Sequence, residues 1–130
     1  MSLLRSRLLD SRVALIAVLL ARIGYGAALL LDPERVTKRW LGPLTAPTDV
    51  AVRGLGTREV MLHALALAQA VRGRPVGPFL VASMAGDITD IAATTAARRG
   101  LPRFSAPATF VVAGASAALS ARLAAGGRGD

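Results

Sequence analysis

Charged side chains lie inside the long apolar segments of this chain, where an isolated charge is costly. The three acidic and four basic or titratable residues concerned are Glu59, Asp87, Asp90, Arg22, Arg53, Arg58 and His63. An unpaired charge in the middle of a membrane costs at least about 2.5–3.5 kcal/mol. The three arginines balance the three carboxylates in formal charge. We therefore expect a compensated network of ion pairs that faces the interior of a helical bundle.

Helical spacing allows these residues to meet. Asp87 and Asp90 are three positions apart, so that they share one face of a helix. Ser83 and Thr94 extend this face into a polar stripe, and Glu59 has His63 four positions further on. Two such stripes on neighbouring helices predict a polar contact between them.

The paired aspartates suggest acid–base chemistry. Two carboxylates this close titrate as a pair, in which one can hold a proton while the other is ionised. Arg58 would stabilise an anion, and Glu59 would relay a proton, as could His63. One hypothesis is therefore a membrane-embedded enzyme, an isomerase, a cyclase or an epoxide-opening catalyst, with Asp87, Asp90, Arg58 and Glu59 as its catalytic residues.

The leading hypothesis is that the same network binds a ligand. The interior would hold a small lipophilic or quinone-like molecule, or would dock a partner membrane protein. The predicted ligand-binding residues are Arg22, Tyr25, Arg53, Arg58, Glu59, His63, Asp87, Asp90 and Thr94. Two further alternatives stay open: a proton-coupled small transporter, and buried ion pairs that only fix the register of the helices.

Four apolar segments would carry these residues, at about 13–31, 50–71, 76–97 and 106–125. Each is close to the roughly 20 residues that a helix needs to cross about 30 Å of hydrocarbon. Asp32 and Pro33 end the first segment, and residues 33–41 predict a short helix at the membrane interface, with Trp40 at the level of the head groups. Gly-Pro and Ala-Pro pairs then break this helix, and Thr48 or Asp49 would cap the second span.

The predicted fold class is therefore all-α, an integral membrane four-helix bundle with a short interfacial helix between the first and second spans. Residues 1–130 form a single domain. The first segment follows basic residues as a signal peptide does, but it continues to Leu31, which favours an uncleaved span. Basic residues are nearly balanced between the two sides, seven against six, and we place both termini in the cytoplasm.

Composition excludes several other classes. Among 130 residues, 53% are hydrophobic and none is cysteine, which excludes disulfides, thiolate nucleophiles and iron–sulfur clusters. The net charge is +8, but the basic residues cluster between the apolar segments without stacking aromatics, which favours lipid head groups over nucleic acid. We expect no metal and no cofactor. The expected partners are the lipid bilayer, a small lipophilic ligand, and a second copy of the chain or another membrane protein.

Short motifs carry a family resemblance. They are Arg22-Ile-Gly-Tyr-Gly-Ala in the first segment, Asp32-Pro33, Arg53-Gly-Leu-Gly-Thr-Arg-Glu59 and Gly86-Asp-Ile-Thr-Asp90. With the layout of the spans, they make residues 13–125 resemble the DoxX-like group of small four-helix bacterial membrane proteins and its neighbouring families of unknown function. The resemblance implies a four-helix bundle in the bacterial inner membrane. Members of that group are associated with quinone-linked redox complexes, but no residue here carries that role over.

Overall fold

The computed structural model describes residues 2–126, with side chains from residue 10 onward. Within this range the chain is all-α, as the sequence predicts. Its helices are α1 (Ser2–Leu31), α2 (Pro33–Thr37), α3 (Ala46–Val71), α4 (Gly77–Ala96) and α5 (Ser105–Gly126), with a 3₁₀ turn at Arg98–Gly100. The prediction that both termini lie in the cytoplasm concerns residues 1 and 127–130, which lie outside the described residues.

The predicted interfacial helix is shorter than 33–41. Asp32 starts α2, since its carboxylate accepts a hydrogen bond from the backbone N–H of Arg35 at 3.3 Å, and proline is favoured in the first turn of a helix. After Thr37 the chain continues as a hydrogen-bonded turn to Leu41. Gly42 then adopts a φ of +84°, a backbone conformation that glycine tolerates best.

Helix α3 begins earlier than predicted. Thr45 is its N-cap residue, and the Thr45 side chain accepts a hydrogen bond from the backbone N–H of Thr48. The prediction of a cap at Thr48 or Asp49 was therefore wrong. It treated Ala46-Pro47 as a break, whereas a proline in the first turn of a helix needs no hydrogen-bond partner for its nitrogen.

The helices pack as two pairs, α1 against α3 and α4 against α5. The backbones of α1 and α3 come into direct contact at Gly26 and Gly56. A Cβ atom on Gly26 would lie 2.8 Å from the carbonyl oxygen of Gly56, and one on Gly56 would lie 2.7 Å from that of Gly26. Such small residues permit the close helix approach that drives association in lipid.

A small apolar core joins the pairs near the turn between α3 and α4. Leu19 of α1 and Ala66 of α3 are fully buried there, together with Ala70. Val76 and Phe79, around the start of α4, pack on this core. The apolar core thus lies at one end of the bundle, and the polar residues occupy the middle.

Many large apolar side chains also lie on the outside of the bundle. On α5, Phe110, Val111 and Val112 are each about two-thirds exposed. Among the described side chains, the buried polar and charged residues are Thr37, Glu59, His63, Ser83, Asp87, Thr94, Ser105, Thr109 and Ser120.

Two helices in the described part of the chain are long and apolar enough to cross a membrane. They are Asp10–Leu31 within α1 and Ser105–Gly126, which is α5. Helices α3 and α4, which carry the acidic residues of the network, do not meet the same test of length and composition. The arrangement of four spans therefore stays a prediction.

Candidate functional site

Arg22 is the centre of the polar network and joins three other helices. Its guanidinium donates hydrogen bonds to Asp87 Oδ1 on α4 at 2.7 Å, to Ser116 Oγ on α5 at 3.0 Å and to Glu59 Oε1 on α3 at 3.0 Å. Its Nε atom lies 2.8 Å from Glu59 Oε2, which is within ion-pair distance, but these two atoms do not form a hydrogen bond. One cation thus bridges two carboxylates, the geometry for which the arginine fork is suited.

The close contact of α1 and α3 explains how Glu59 reaches Arg22. Gly26 is one helical turn beyond Arg22, and Gly56 is one turn before Glu59. A Cβ atom at Gly26 would lie 2.7 Å from the Glu59 Cβ, so that a larger residue would push the two helices apart. Gly26 therefore leaves room for its neighbour, whereas a Cβ atom at Gly24 would have nothing within 4 Å.

His63 is a buried link between α3 and α4. Its Nδ1 atom lies 2.7 Å from the backbone carbonyl of Glu59, and Nε2 lies 3.0 Å from Ser83 Oγ. Because a carbonyl only accepts, Nδ1 carries a proton, and in the neutral ring Nε2 accepts from the serine hydroxyl. Both ring nitrogens are therefore satisfied within the bundle, and His63 does not line either of the cavities described below.

The polar stripe on α4 forms as its spacing predicts. Ser83, Asp87 and Thr94 are buried, and Asp90 is half-buried on the same face. Asp87 and Asp90 both line one cavity, whereas Thr94 does not. The stripe therefore has three parts. Ser83 contacts α3, Asp87 and Asp90 line the cavity, and Thr94 is buried outside it.

That cavity has a volume of about 470 Å³ and lies between α1, α2, α4 and α5. Its wall on α5 is one continuous face made of Ser105, Ala108, Thr109, Val112, Ala113 and Ser116. The other helices contribute Ala21, Arg22, Tyr25, Val36, Arg39, Trp40, Asp87 and Asp90. Apolar side chains line its middle, and polar groups occupy its two ends.

The outer end of the cavity is closed by the segment after α2. The hydroxyl of Ser105 donates a hydrogen bond to the backbone carbonyl of Trp40 at 2.5 Å, which ties this segment to the start of α5. The indole N–H of Trp40 is buried and has no hydrogen-bond partner among the described residues. A buried donor without a partner is costly and rare, so the outer end offers an unused donor.

The inner end of the cavity offers an unused acceptor. Asp87 is 2% exposed, and its Oδ1 atom is bound to Arg22. Its second oxygen, Oδ2, is buried and has no hydrogen-bond partner in the described part of the chain. Asp90 and Tyr25 border the same end of the cavity.

Arg53 lies apart from the network, although the sequence groups it with the ligand-binding residues. It is paired with Asp49 one turn earlier, with Nε to Oδ1 and Oδ2 distances of 2.9 and 3.1 Å. It also donates to the backbone carbonyl of Leu30 at 2.7 Å. Carbonyls at the end of a helix lack partners within that helix, so Arg53 satisfies the end of α1.

Arg58 is also separate from Arg22 and the cavity. It is exposed, and it lines a groove of about 410 Å³ between α3 and α4 with Glu59, Met61, Leu62, Ala82, Ser83 and Gly86. It is near enough to Asp90 for electrostatic interaction, but no hydrogen bond or ion pair of Arg58 is found among the described side chains. Arg58 therefore does not face the same space as the two aspartates.

The chemistry available at the inner end is binding of a polar group and exchange of a proton at Asp87 or Asp90. Residues 10–126 contain no group of three or more acidic, histidine or cysteine side chains placed to hold a metal ion. Arg22 itself occupies the position between Glu59 and Asp87. The site can therefore hold an organic polar group next to Asp87.

Sequence reasoning missed several residues of the cavity. The sequence predicts Trp40 as an interfacial anchor, and Ser105, Thr109 and Ser116 are not among the predicted site residues. The spacing of the last three residues along α5 could have indicated a polar side of that helix, since they lie four and seven positions apart.

No protein family, no curated protein and no solved structure matches this chain. The similarity to the DoxX-like group therefore stays a prediction from short motifs, and the site is interpreted from its own geometry.

Proposed function

We propose that this chain is a four-span integral membrane protein that binds a small lipophilic ligand in the cavity beside Arg22. The observation that carries the proposal is a cavity with apolar walls that ends at a buried network of charges. Ligand pockets are typically apolar, with a few polar groups that orient the bound molecule. Intramembrane charges most often mark such functional sites.

The distribution of side chains supports a lipid environment. Polar residues are buried and large apolar residues are exposed along α5. In lipid, exposed Phe110 and Val111 would contact acyl chains at no cost, whereas in water they would favour aggregation. Glu59 and Asp87 face inward and share Arg22, which removes the cost of placing them unpaired in hydrocarbon.

A labelling experiment tests the number of spans. The chain has no cysteine, so that single-cysteine variants carry one label each. Four spans place Lys38→Cys and Arg99→Cys on one side of the membrane and Arg74→Cys on the other. A membrane-impermeant maleimide added to sealed vesicles should therefore label Arg74→Cys in one vesicle orientation and the other two variants in the opposite one.

Two spans give a different result. If only α1 and α5 cross the membrane, the turn that carries Arg74 lies on the same side as Lys38 and Arg99. All three variants would then be labelled together, and the four-span proposal would be wrong. Release of the protein from membranes by alkaline carbonate would contradict membrane insertion altogether.

Ligand binding is tested by filling the cavity. Ala108 is an exposed alanine of α5 that lines the cavity, whereas Ala115 is an exposed alanine of α5 that lies outside the cavity. Native mass spectrometry of the protein in mild detergent should detect a bound small molecule in the wild type and in Ala115→Phe. Ala108→Phe should lose this mass while it stays folded by circular dichroism. Equal retention by both variants would refute binding in this cavity.

A second candidate function is acid–base catalysis on the bound molecule. It is favoured by one observation, that Asp87 and Asp90 border the same cavity one helical turn apart. Of the four predicted catalytic residues, Glu59 would act only through Arg22, and Arg58 lies in the neighbouring groove. The two aspartates are therefore the remaining candidates for the acid and the base. For an enzyme, Asp87→Asn should abolish turnover of the co-purified molecule even when that molecule is present at saturating concentration, and unchanged turnover would exclude this candidate.

A further inference from the structure

We infer that the molecule bound in the cavity is an elongated amphiphile with a protonated amine head, which lies next to Asp87 while its apolar tail follows α5 towards Trp40. This inference rests on the proposed function, because it names the chemical class of the ligand in the same cavity. Three observations carry it: the charge of the buried groups, the vacant polar atoms and the shape of the cavity.

The buried charges at the inner end do not cancel. Arg22 is the cation that bonds to Glu59 and Asp87, so that these three residues sum to −1. Asp90, half-buried at the same cavity, brings the formal sum to −2. An uncompensated charge away from water is strongly unfavourable. A ligand with one positive charge would compensate part of it, whereas an anionic ligand would increase it.

The other cations near the site do not fill this role. Arg39 lines the outer part of the cavity and Arg58 lies in the groove between α3 and α4, and both are exposed. Neither residue makes a hydrogen bond or ion pair with Asp87 or Asp90 among the described side chains.

The vacant atom at the inner end is an acceptor. Asp87 Oδ2 is buried at the cavity without a partner, and an ionised carboxylate only accepts hydrogen bonds. The complementary group is therefore a donor, and an ammonium group is both a donor and a cation. Tyr25 lines the same cavity, and the face of an aromatic ring also attracts a cation.

The cavity has room for a long molecule. Ser105 and Ser116 are eleven residues apart on α5, which corresponds to about 16 Å at 1.5 Å per residue. Ser105 bonds to Trp40 at the outer end, and Ser116 bonds to Arg22 at the inner end. Between them the α5 wall consists of Ala108, Thr109, Val112 and Ala113. The apolar middle therefore fits an alkyl or isoprenoid chain.

Binding can be followed with the protein's own fluorescence. Trp40 is the one tryptophan of the chain, and it lines the cavity. The purified full-length protein, in an uncharged maltoside detergent at neutral pH, is titrated with decylamine, decanol and decanoate, which differ mainly in the head group. Decylamine should change the Trp40 emission with an affinity about tenfold tighter than decanol, or about 1.4 kcal/mol, since a charged hydrogen bond exceeds a neutral one by about this amount.

A matched set of variants assigns the head group to the inner end. Asp87→Asn keeps the size of the side chain and removes its charge, and it should weaken decylamine binding at least about tenfold while decanol binding changes little. Asp90→Asn should weaken it by a smaller factor, and it replaces Asp87→Asn as the deciding variant if the latter does not fold. Asp49→Asn is the control, because Asp49 pairs with Arg53 outside the cavity, and it should bind as the wild type does.

The outcomes separate this inference from the function on which it rests. If decanol or decanoate binds as tightly as decylamine, or if the deciding variant (Asp87→Asn, or Asp90→Asn where Asp87→Asn does not fold) binds decylamine unchanged, the amine head is refuted while ligand binding in the cavity stands. If none of the three compounds changes the emission of Trp40, and Ala108→Phe has no effect on the co-purified mass, the proposed function itself fails.

Discussion

Arg22 should contribute more to stability than any exposed arginine, because it is the cation that pairs with two buried carboxylates. The Glu59 and Asp87 side chains are only 10% and 3% exposed. Arg22→Met keeps the length of the side chain but leaves both acids without a cation. Removal of one partner from a buried ion pair costs about 3–5 kcal/mol. We expect Arg22→Met to lower the free energy of unfolding by at least about 3 kcal/mol.

The matched control is Arg53→Met. Arg53 is 49% exposed and its partner Asp49 is 34% exposed, and an exposed ion pair contributes about 0–1 kcal/mol. Its hydrogen bond to the carbonyl of Leu30 adds about 0.5–1.5 kcal/mol. We therefore expect Arg53→Met to cost no more than about 2.5 kcal/mol.

A triple variant tests the electrostatic cause. When Arg22→Met is combined with Glu59→Gln and Asp87→Asn, no buried charge remains without a partner. A buried neutral amide costs much less free energy than a buried charge without a partner. We expect the triple variant to recover at least about 2 kcal/mol relative to Arg22→Met alone, although it carries two more substitutions.

The assay is reversible unfolding of the purified protein in mixed micelles, with increasing fractions of a denaturing detergent and circular dichroism as the readout. Wild type, Arg22→Met, Arg53→Met and the triple variant are compared under one condition. If Arg22→Met lies within about 1 kcal/mol of the wild type, or if the triple variant is less stable than Arg22→Met, then Arg22 does not act by pairing with the two acids and the account of the network is wrong.

Three further predictions follow from the packing. Gly56→Leu should separate α1 from α3, because even a Cβ atom at this position would lie 2.7 Å from the Gly26 carbonyl oxygen. A thermal melt should therefore show clear destabilisation. The control is Gly54→Leu, which has open space around the substituted position and should melt close to the wild type. His63→Phe should cost about 1–3 kcal/mol in the same unfolding assay, because the Ser83 hydroxyl and the Glu59 carbonyl lose their partner; an unchanged stability would contradict the contacts of His63. A spin label at Phe110→Cys should be relaxed by oxygen dissolved in lipid more strongly than one at the buried Ala113, and equal relaxation would contradict a lipid-facing side of α5.

The sequence by itself determined the helical class and the candidates for the polar network. Apolar segments of about 20 residues, separated by proline and glycine, predict helices because their backbones must satisfy their own hydrogen bonds. The spacing of Asp87 and Asp90 placed them on one face of α4. The presence of charges within such segments predicted that some of them would pair in the interior, and Arg22, Glu59 and Asp87 do so.

Only the tertiary structure decided which charges meet. Arg53 and Arg58 have the same residue type as Arg22 and lie in equally apolar surroundings in the sequence, yet Arg53 satisfies the end of α1 and Arg58 is exposed beside a groove. The difference comes from the rotation of each helix about its axis, which is fixed by contacts such as that of Gly26 with Gly56. Local sequence patterns do not encode this rotation, because it depends on residues far apart in the chain. The cavity follows from the same cause, since its walls come from four helices.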